Sequence, residues 1–268
     1  LDLLKDVIYV AEDSDTFDAE QRIKLGAPEL DHFRDNDYEI LAKLSDKTPT
    51  IGVNITSGQL VMNYTLDFLD DAESDIVSSE FDDLESSFLP LLGKEFYISD
   101  WDNGTINNQA GKLTLLDSAV KGLITEGEIK SLTMNGVTYD IGITWGDADS
   151  VVVNVNGEDT SDLSEGETEK LTDGTYVGIT DVRYKEIQGE IVQAEISLGS
   201  GKLELTHNAE IELNDDTVSD VRAYLVKGSP SAGVEKIDYI TIEWKSDEDS
   251  FITPKSELTL PGMGGLKF

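Results

Sequence analysis

Cysteine is absent from this chain of 268 residues. Disulfides, thiolate zinc sites, iron–sulfur ligation and cysteine nucleophiles are therefore excluded, and the redox compartment is left unread. Histidine is nearly absent, with His32 and His207 far apart beside acidic or polar neighbours. A Ser-His-Asp triad needs one of them, and no Gly-x-Ser-x-Gly elbow seats a nucleophile. Cations are scarce: 20 Lys and Arg stand against 55 Asp and Glu, a net charge of -35. Phosphate backbones need clustered cations, so nucleic-acid binding is excluded, and anionic lipid surfaces would repel the chain. No run approaches the roughly 18 apolar residues of a membrane-spanning helix. A phosphate-binding loop is missing too, because Gly262-Met263-Gly264-Gly265 lacks the strand–helix setting that such a loop requires. The opening Leu1-Asp2-Leu3-Leu4, without Met or a basic stretch, reads as a processed or trimmed piece.

What is present is a folding chain, 38% hydrophobic with 23 glycines mostly at turn positions. Strand signals dominate from about Leu91 onward. Leu132-Thr133-Met134 and Val137-Thr138-Tyr139-Asp140-Ile141 flank Asn135-Gly136, the pair that supplies two positive φ angles to a hairpin turn. A second Asn156-Gly157 closes the β-branched run from Ser150 to Val155. In Ile237 to Trp244, Ile240, Ile242 and Trp244 alternate with Tyr239, Thr241 and Glu243, the period of a half-buried strand. Helical spacing is confined to Asp18–Leu25 and Asp75–Leu89. The expected fold is mainly β: antiparallel β-sandwich or partly open barrel domains with one or two short helices.

Phrases also repeat. Gly93 to Asp100 is echoed by Gly174 to Asp181, and Gly111-Lys112-Leu113-Thr114-Leu115 by Gly201-Lys202-Leu203-Glu204-Leu205. These echoes predict an N-terminal β-rich domain over 1–90, ending in an acidic helix or linker near Asp70 to Ser87. A duplicated β unit over 91–206 follows, then C-terminal strands over 207–268 that pair back near Thr50 to Phe68 and make the middle domain an insertion.

Acidic loops offer hard oxygen ligands for Ca²⁺. The expected metal residues are Asp147 with Asp149 and Asp215 with Asp216; Asp100 with Asp102, and Asp247 with Glu248 and Asp249, are further candidates. None follows the twelve-residue EF-hand spacing. Sequons at Asn54, Asn63 and Asn103 are candidate glycosylation sites of a secreted protein.

Several phrases, taken in order, carry a resemblance. They are Asp35-Asn36-Asp37-Tyr38, Thr48-Pro49-Thr50-Ile51-Gly52, Met62-Asn63-Tyr64-Thr65-Leu66-Asp67-Phe68, Leu91 to Ile98 and Lys112 to Leu116. Leu163 to Glu167, Leu171 to Thr175 and Leu258-Thr259-Leu260-Pro261-Gly262 complete the series. Over roughly 35–268 the chain resembles archaeal S-layer proteins, especially those of small-genome archaea and methanogens. The resemblance implies a non-enzymatic, secreted and often glycosylated subunit that assembles with itself into a lattice at the cell surface, with no membrane insertion in this segment. A high negative charge would keep subunits apart until cations screen them. Three other readings compete. One is a secreted carbohydrate-binding or adhesin-like module whose Trp101, Trp145 and Trp244 form a sugar platform. The others are a hydrolase built on an acidic pair, and a salt-adapted protein of any function.

Overall fold

A computed structural model describes residues 7–32, 51–105, 109–185, 191–230, 234–254 and 257–261. The quoted phrases Asp35–Tyr38 and Gly262–Gly265, and the start of Thr48–Gly52, lie outside the described residues. The described chain is all β, and every strand pairing in it is antiparallel.

Ten strands close into a barrel. Around the ring they run Val7–Val10, Thr16–Leu25, Leu60–Ser74, Glu235–Lys245, Asp216–Lys227, Ala209–Leu213, Gly201–Thr206, Lys112–Asp117, Lys94–Trp101 and Phe88–Leu91. The ring closes at a single register position, Val10 against Phe88. Strand Leu60–Ser74 shows how sequence places the core. Met62, Tyr64, Leu66 and Phe68 point inward, and Asn63, Thr65 and Asp67 alternate with them less buried. Inside, Tyr9, Phe17, Phe81, Trp101, Leu113, Leu205, Leu225 and Ile240 belong to one apolar cluster. The barrel is thus filled by side chains and is not a pore. Two buried tyrosine hydroxyls keep partners: Tyr64 donates to Gln21 Oε1 at 2.7 Å, and Tyr9 donates to the Leu84 carbonyl at 3.1 Å.

Residues 120–199 leave the barrel between neighbouring strands Lys112–Asp117 and Gly201–Thr206 and form a sandwich. One sheet holds Val120–Thr125, Ile191–Gly199, Tyr176–Lys185 and Thr168–Lys170. The other holds Ile129–Met134, Val137–Gly146, Ser150–Val155, Glu158–Asp159 and Leu163–Ser164. Ile141, Ile143, Val153, Val177, Ile179, Ala194 and Ile196 share the core between them. A three-stranded sheet of Glu29–His32, Ile51–Ile55 and Ser250–Ile252 is hydrogen-bonded to neither, but its Ile55 joins the barrel core and Val53 and Ile252 pack against it.

Several expectations need correction. No helix forms among the described residues. Asp18–Leu25 is part of strand Thr16–Leu25, because Phe17, Ala19 and Gln21 alternate inward and the period of two prevails over helical spacing. Asp75–Leu89 folds as a tight hairpin, Ile76–Val77 against Glu80–Phe81, through Ser78 and Ser79 at φ 50° and 78°. Its acids bind backbone in place of a helix: Asp83 Oδ2 accepts from the Asp75 amide at 2.7 Å. The sequence boundaries also fall inside the barrel. The cut at 90/91 lies within the hairpin joining Phe88–Leu91 to Lys94–Trp101, and the cut at 206/207 lies between neighbouring barrel strands Gly201–Thr206 and Ala209–Leu213. The echoed phrases are not a duplicated unit. Phe96 to Ile98 sit in the barrel and Val177 to Ile179 in the sandwich, while the two Gly-Lys-Leu strands pair directly with each other, Leu113 against Leu205. Strand and turn chemistry recurs because each strand needs the same alternation and the same Gly start, and this makes unrelated strands look alike.

Candidate functional site

Barrel and sandwich meet along the outer side of strand Lys94–Trp101. Tyr97, Leu116 and Tyr176 form a small apolar cluster there. Gly178 permits the close approach, since a Cβ at that position would lie 2.6 Å from Ser99 Oγ. Around Tyr97 runs a satisfied polar network. Lys121 Nζ donates to Glu195 Oε1 at 2.8 Å and to the Ser86 carbonyl at 2.7 Å, and Ser86 Oγ donates to Glu195 at 2.9 Å. The Tyr97 hydroxyl shares a 3.0 Å hydrogen bond with Thr180 Oγ1. Burial acts to raise the Glu195 carboxyl, but its bonds from Lys121 and Ser86 outweigh that and hold it below the ordinary carboxylate range.

Beside this network lies a cluster of acids with no cation in salt-bridge contact among the described residues. Glu80, Glu85 and Asp100 bring one carboxylate oxygen each within 4.8 Å of one another. The turns after Glu80–Phe81 swing Glu85 back onto the barrel, where its Oε1 accepts from the Trp101 backbone amide at 2.8 Å. Glu80 faces Asp102 across an isolated bridge. Asp100, near the end of its strand, packs against Gly166 of the sandwich, where a Cβ would sit 2.8 Å from Asp100 Oδ1. No cation makes an ion pair with any of the three among the described residues; Lys112 attracts Asp100 from a distance, but its Nζ bonds to Glu204 at 3.1 Å. Desolvation, reinforced by the neighbouring acids, pushes Glu85 up to about 9, Glu80 to about 7 and Asp100 to about 6. The cluster therefore holds protons near neutral pH. Its oxygens are also of the kind a hard divalent cation takes, although three carboxylates supply only part of the six to eight ligands of Ca²⁺.

The expected metal pairs are used otherwise. Asp147 Oδ1 accepts from the backbone amides of Asp149 and Ser150, both at 2.9 Å, and so caps the turn between two sandwich strands. Those bonds hold its carboxyl below the ordinary range. Asp215 Oδ1 pairs with Lys202 Nζ at 2.6 Å, and its Oδ2 accepts from Tyr176 at 2.8 Å, while Asp216 begins a barrel strand. Neither pair joins a group of three ligating side chains among the described residues. Asp249 caps Ser57 at 2.9 Å, and Asp102 caps Gly104 at 2.7 Å. Of the acids singled out from sequence, only Asp100 enters the cluster, with Glu80 and Glu85 as partners in place of Asp102.

Other candidates separate by burial. Trp101 and Trp244 are core residues of the barrel, so a three-tryptophan platform does not exist; Trp145 alone is 47% exposed. His207 Nδ1 lies 2.7 Å from the Leu225 carbonyl and 3.1 Å from the Leu225 amide, a structural role. His32 ends strand Glu29–His32. Asn54 and Asn63 lie on strands and are partly exposed, whereas Asn103 Oδ1 accepts from Lys227 Nζ at 2.8 Å. No known family model, curated protein or solved structure matches the chain.

Proposed function

We propose that this chain is a non-enzymatic structural subunit that assembles with itself outside the cell, in the manner of S-layer proteins. The observation that carries the reading is the pattern of sheet edges. Ile129–Met134 ends the five-stranded sandwich sheet and carries Ile129 at 77% exposure; Glu29–His32 ends the three-stranded sheet and carries Leu30 at 76%. Neither pairs with a further strand among the described residues. Edges of this kind are templates for strand addition between chains. The net charge of -35 opposes contact in dilute salt, so screening cations, Ca²⁺ among them, promote assembly. Asn54 and Asn63 are the sequons best placed for glycans. The test is light scattering with negative-stain electron microscopy of the purified chain, as NaCl or CaCl₂ is raised at matched ionic strength. Ordered sheets or filaments support the proposal, and a monomer under every condition counts against it.

A further inference from the structure

The outer face of the five-stranded sandwich sheet carries a groove of about 580 Å³ whose lining includes Ile129, Asp140, Gly142, Thr144, Asn154 and Asn156. That volume lies within the usual range of small-ligand sites. Register places the residues on one face. Gly142 pairs with Ile129 on one side and Asn154 on the other, and Ser131 pairs with Asp140. Gly142 leaves the floor bare; a Cβ there would crowd the Glu128 carbonyl at 3.1 Å. Trp145 joins the same face. A bulge separates it from Ile143, and it stands opposite Val152, two residues and so about 7 Å along the strand from Asn154. The indole is therefore on the outer face of the sheet, beyond the residues that line the groove and 47% exposed, while Ile143 is buried.

The polar groups are fixed in advance and keep spare valence. Asp140 Oδ1 accepts from Ser131 Oγ at 2.6 Å, leaving Oδ2 open. Asn156 Oδ1 accepts from the Asp140 amide at 2.9 Å, leaving its amide group free to donate. Asn154 is held from both ends, its Nδ2 donating to Asp159 at 2.6 Å and its Oδ1 accepting from Gly157 at 3.0 Å. Side chains already ordered lose little entropy when a ligand arrives.

We infer that this groove binds a neutral oligosaccharide, stacking an apolar sugar face on Trp145 and Ile129 and bonding its hydroxyls to Asp140 Oδ2 and the Asn156 amide. A ligand with one apolar face and an edge of paired donors and acceptors matches an indole beside a carboxylate and a carboxamide. Asp140, Glu128 and the overall charge exclude acidic sugars and phosphates. The inference is independent of the assembly proposal, because a lone monomer would carry the same groove.

Trp101 and Trp244 are buried, so Trp145 dominates quenching of tryptophan fluorescence by iodide, and a sugar stacked on it shields it. The chain is titrated with neutral hexasaccharides: cello-, malto-, chito- and β-1,4-mannohexaose. Saturable protection with at least one of them is expected, weakened at least tenfold in Asp140→Asn and in Asn156→Asp. Asn156→Asp preserves the acceptor and tolerates the positive φ of 53° at that turn. Calorimetry on Trp145→Ala reads binding without the fluorophore and is expected to show it lost, with the melting temperature unchanged. No saturable change with any of the four sugars overturns the inference, as does equal affinity in the folded variants.

Discussion

Replacing Glu85 by Gln tests the acidic junction directly. The carboxamide keeps an oxygen to accept the Trp101 amide at the 2.8 Å position and removes only the charge. A carboxyl raised from 4.5 to about 9 binds its proton more tightly in the folded state than in the unfolded chain. The folded state then carries the extra proton between those two values, so stability falls as pH rises through that window. Below about pH 4.5 both states are protonated and the substitution is nearly neutral. Each tenfold change in proton affinity is worth about 1.4 kcal/mol, which sets a ceiling on the order of 6 kcal/mol at about pH 9. Proton sharing with Glu80 and Asp100, together with the high effective dielectric of real proteins, reduces the expected gain near pH 8 to about 1–3 kcal/mol. Urea unfolding at steps from about pH 4.5 to 9, with chelator present, gives the difference between the two proteins. That difference should be near zero at the acid end and grow steadily in favour of Glu85→Gln. Parallel profiles, or a variant less stable at the alkaline end, would refute the reasoning, because the carboxylate would then be ionised and satisfied in the fold.

Other perturbations have defined outcomes. Lys121→Ala strips Glu195 of its cation beside Tyr97 and should destabilise by about 2–4 kcal/mol in thermal unfolding near pH 7. The loss shrinks as pH falls far enough to protonate Glu195, whose stabilising contribution disappears below its lowered folded value. Gly178→Ala drives a methyl to 2.6 Å from Ser99 Oγ at the barrel–sandwich junction and should cost about 1–3 kcal/mol by urea unfolding, whereas Gly174→Ala, with open space but φ 92°, strains only a turn. An unchanged Gly178→Ala midpoint would mean that the two bodies do not pack closely.

Class and local turns were legible because they depend on near neighbours. Alternation from Ile237 to Trp244 marks a half-buried strand by itself. Asn135 and Gly136, at φ 51° and 82°, make the hairpin that their residue types require. The return of the C-terminal strands to the region of Thr50 to Phe68 was expected and occurs, with Glu235–Lys245 against Leu60–Ser74. The closure of the ring was not legible, since it rests on one contact between distant strands, Val10 against Phe88. The acidic cluster was hidden for a different reason. Glu80 and Glu85 belong to a run of acids that looks like solvated linker, and it is the turns after Phe81, closed by the Leu84 and Glu85 amides on the Phe81 carbonyl, that bring Glu85 to the Trp101 amide. With 55 acids in the chain, composition gives no means of telling the buried carboxylates from the exposed ones. The tryptophans differ in the same way: alternation predicts that Trp244 is buried, but the bulge that exposes Trp145 has no signature in the sequence.

Electron microscopy of the purified chain across a CaCl₂ series, against NaCl of equal ionic strength, tests the assembly proposal most directly. Ordered arrays are expected once charge is screened, and Ile129→Lys and Leu30→Lys together are expected to abolish them while leaving the melting temperature within about 1–2 °C, since surface substitutions change stability by only about 0.5 kcal/mol. Dispersed monomers at every salt concentration, or arrays that form equally well in the double variant, would contradict it.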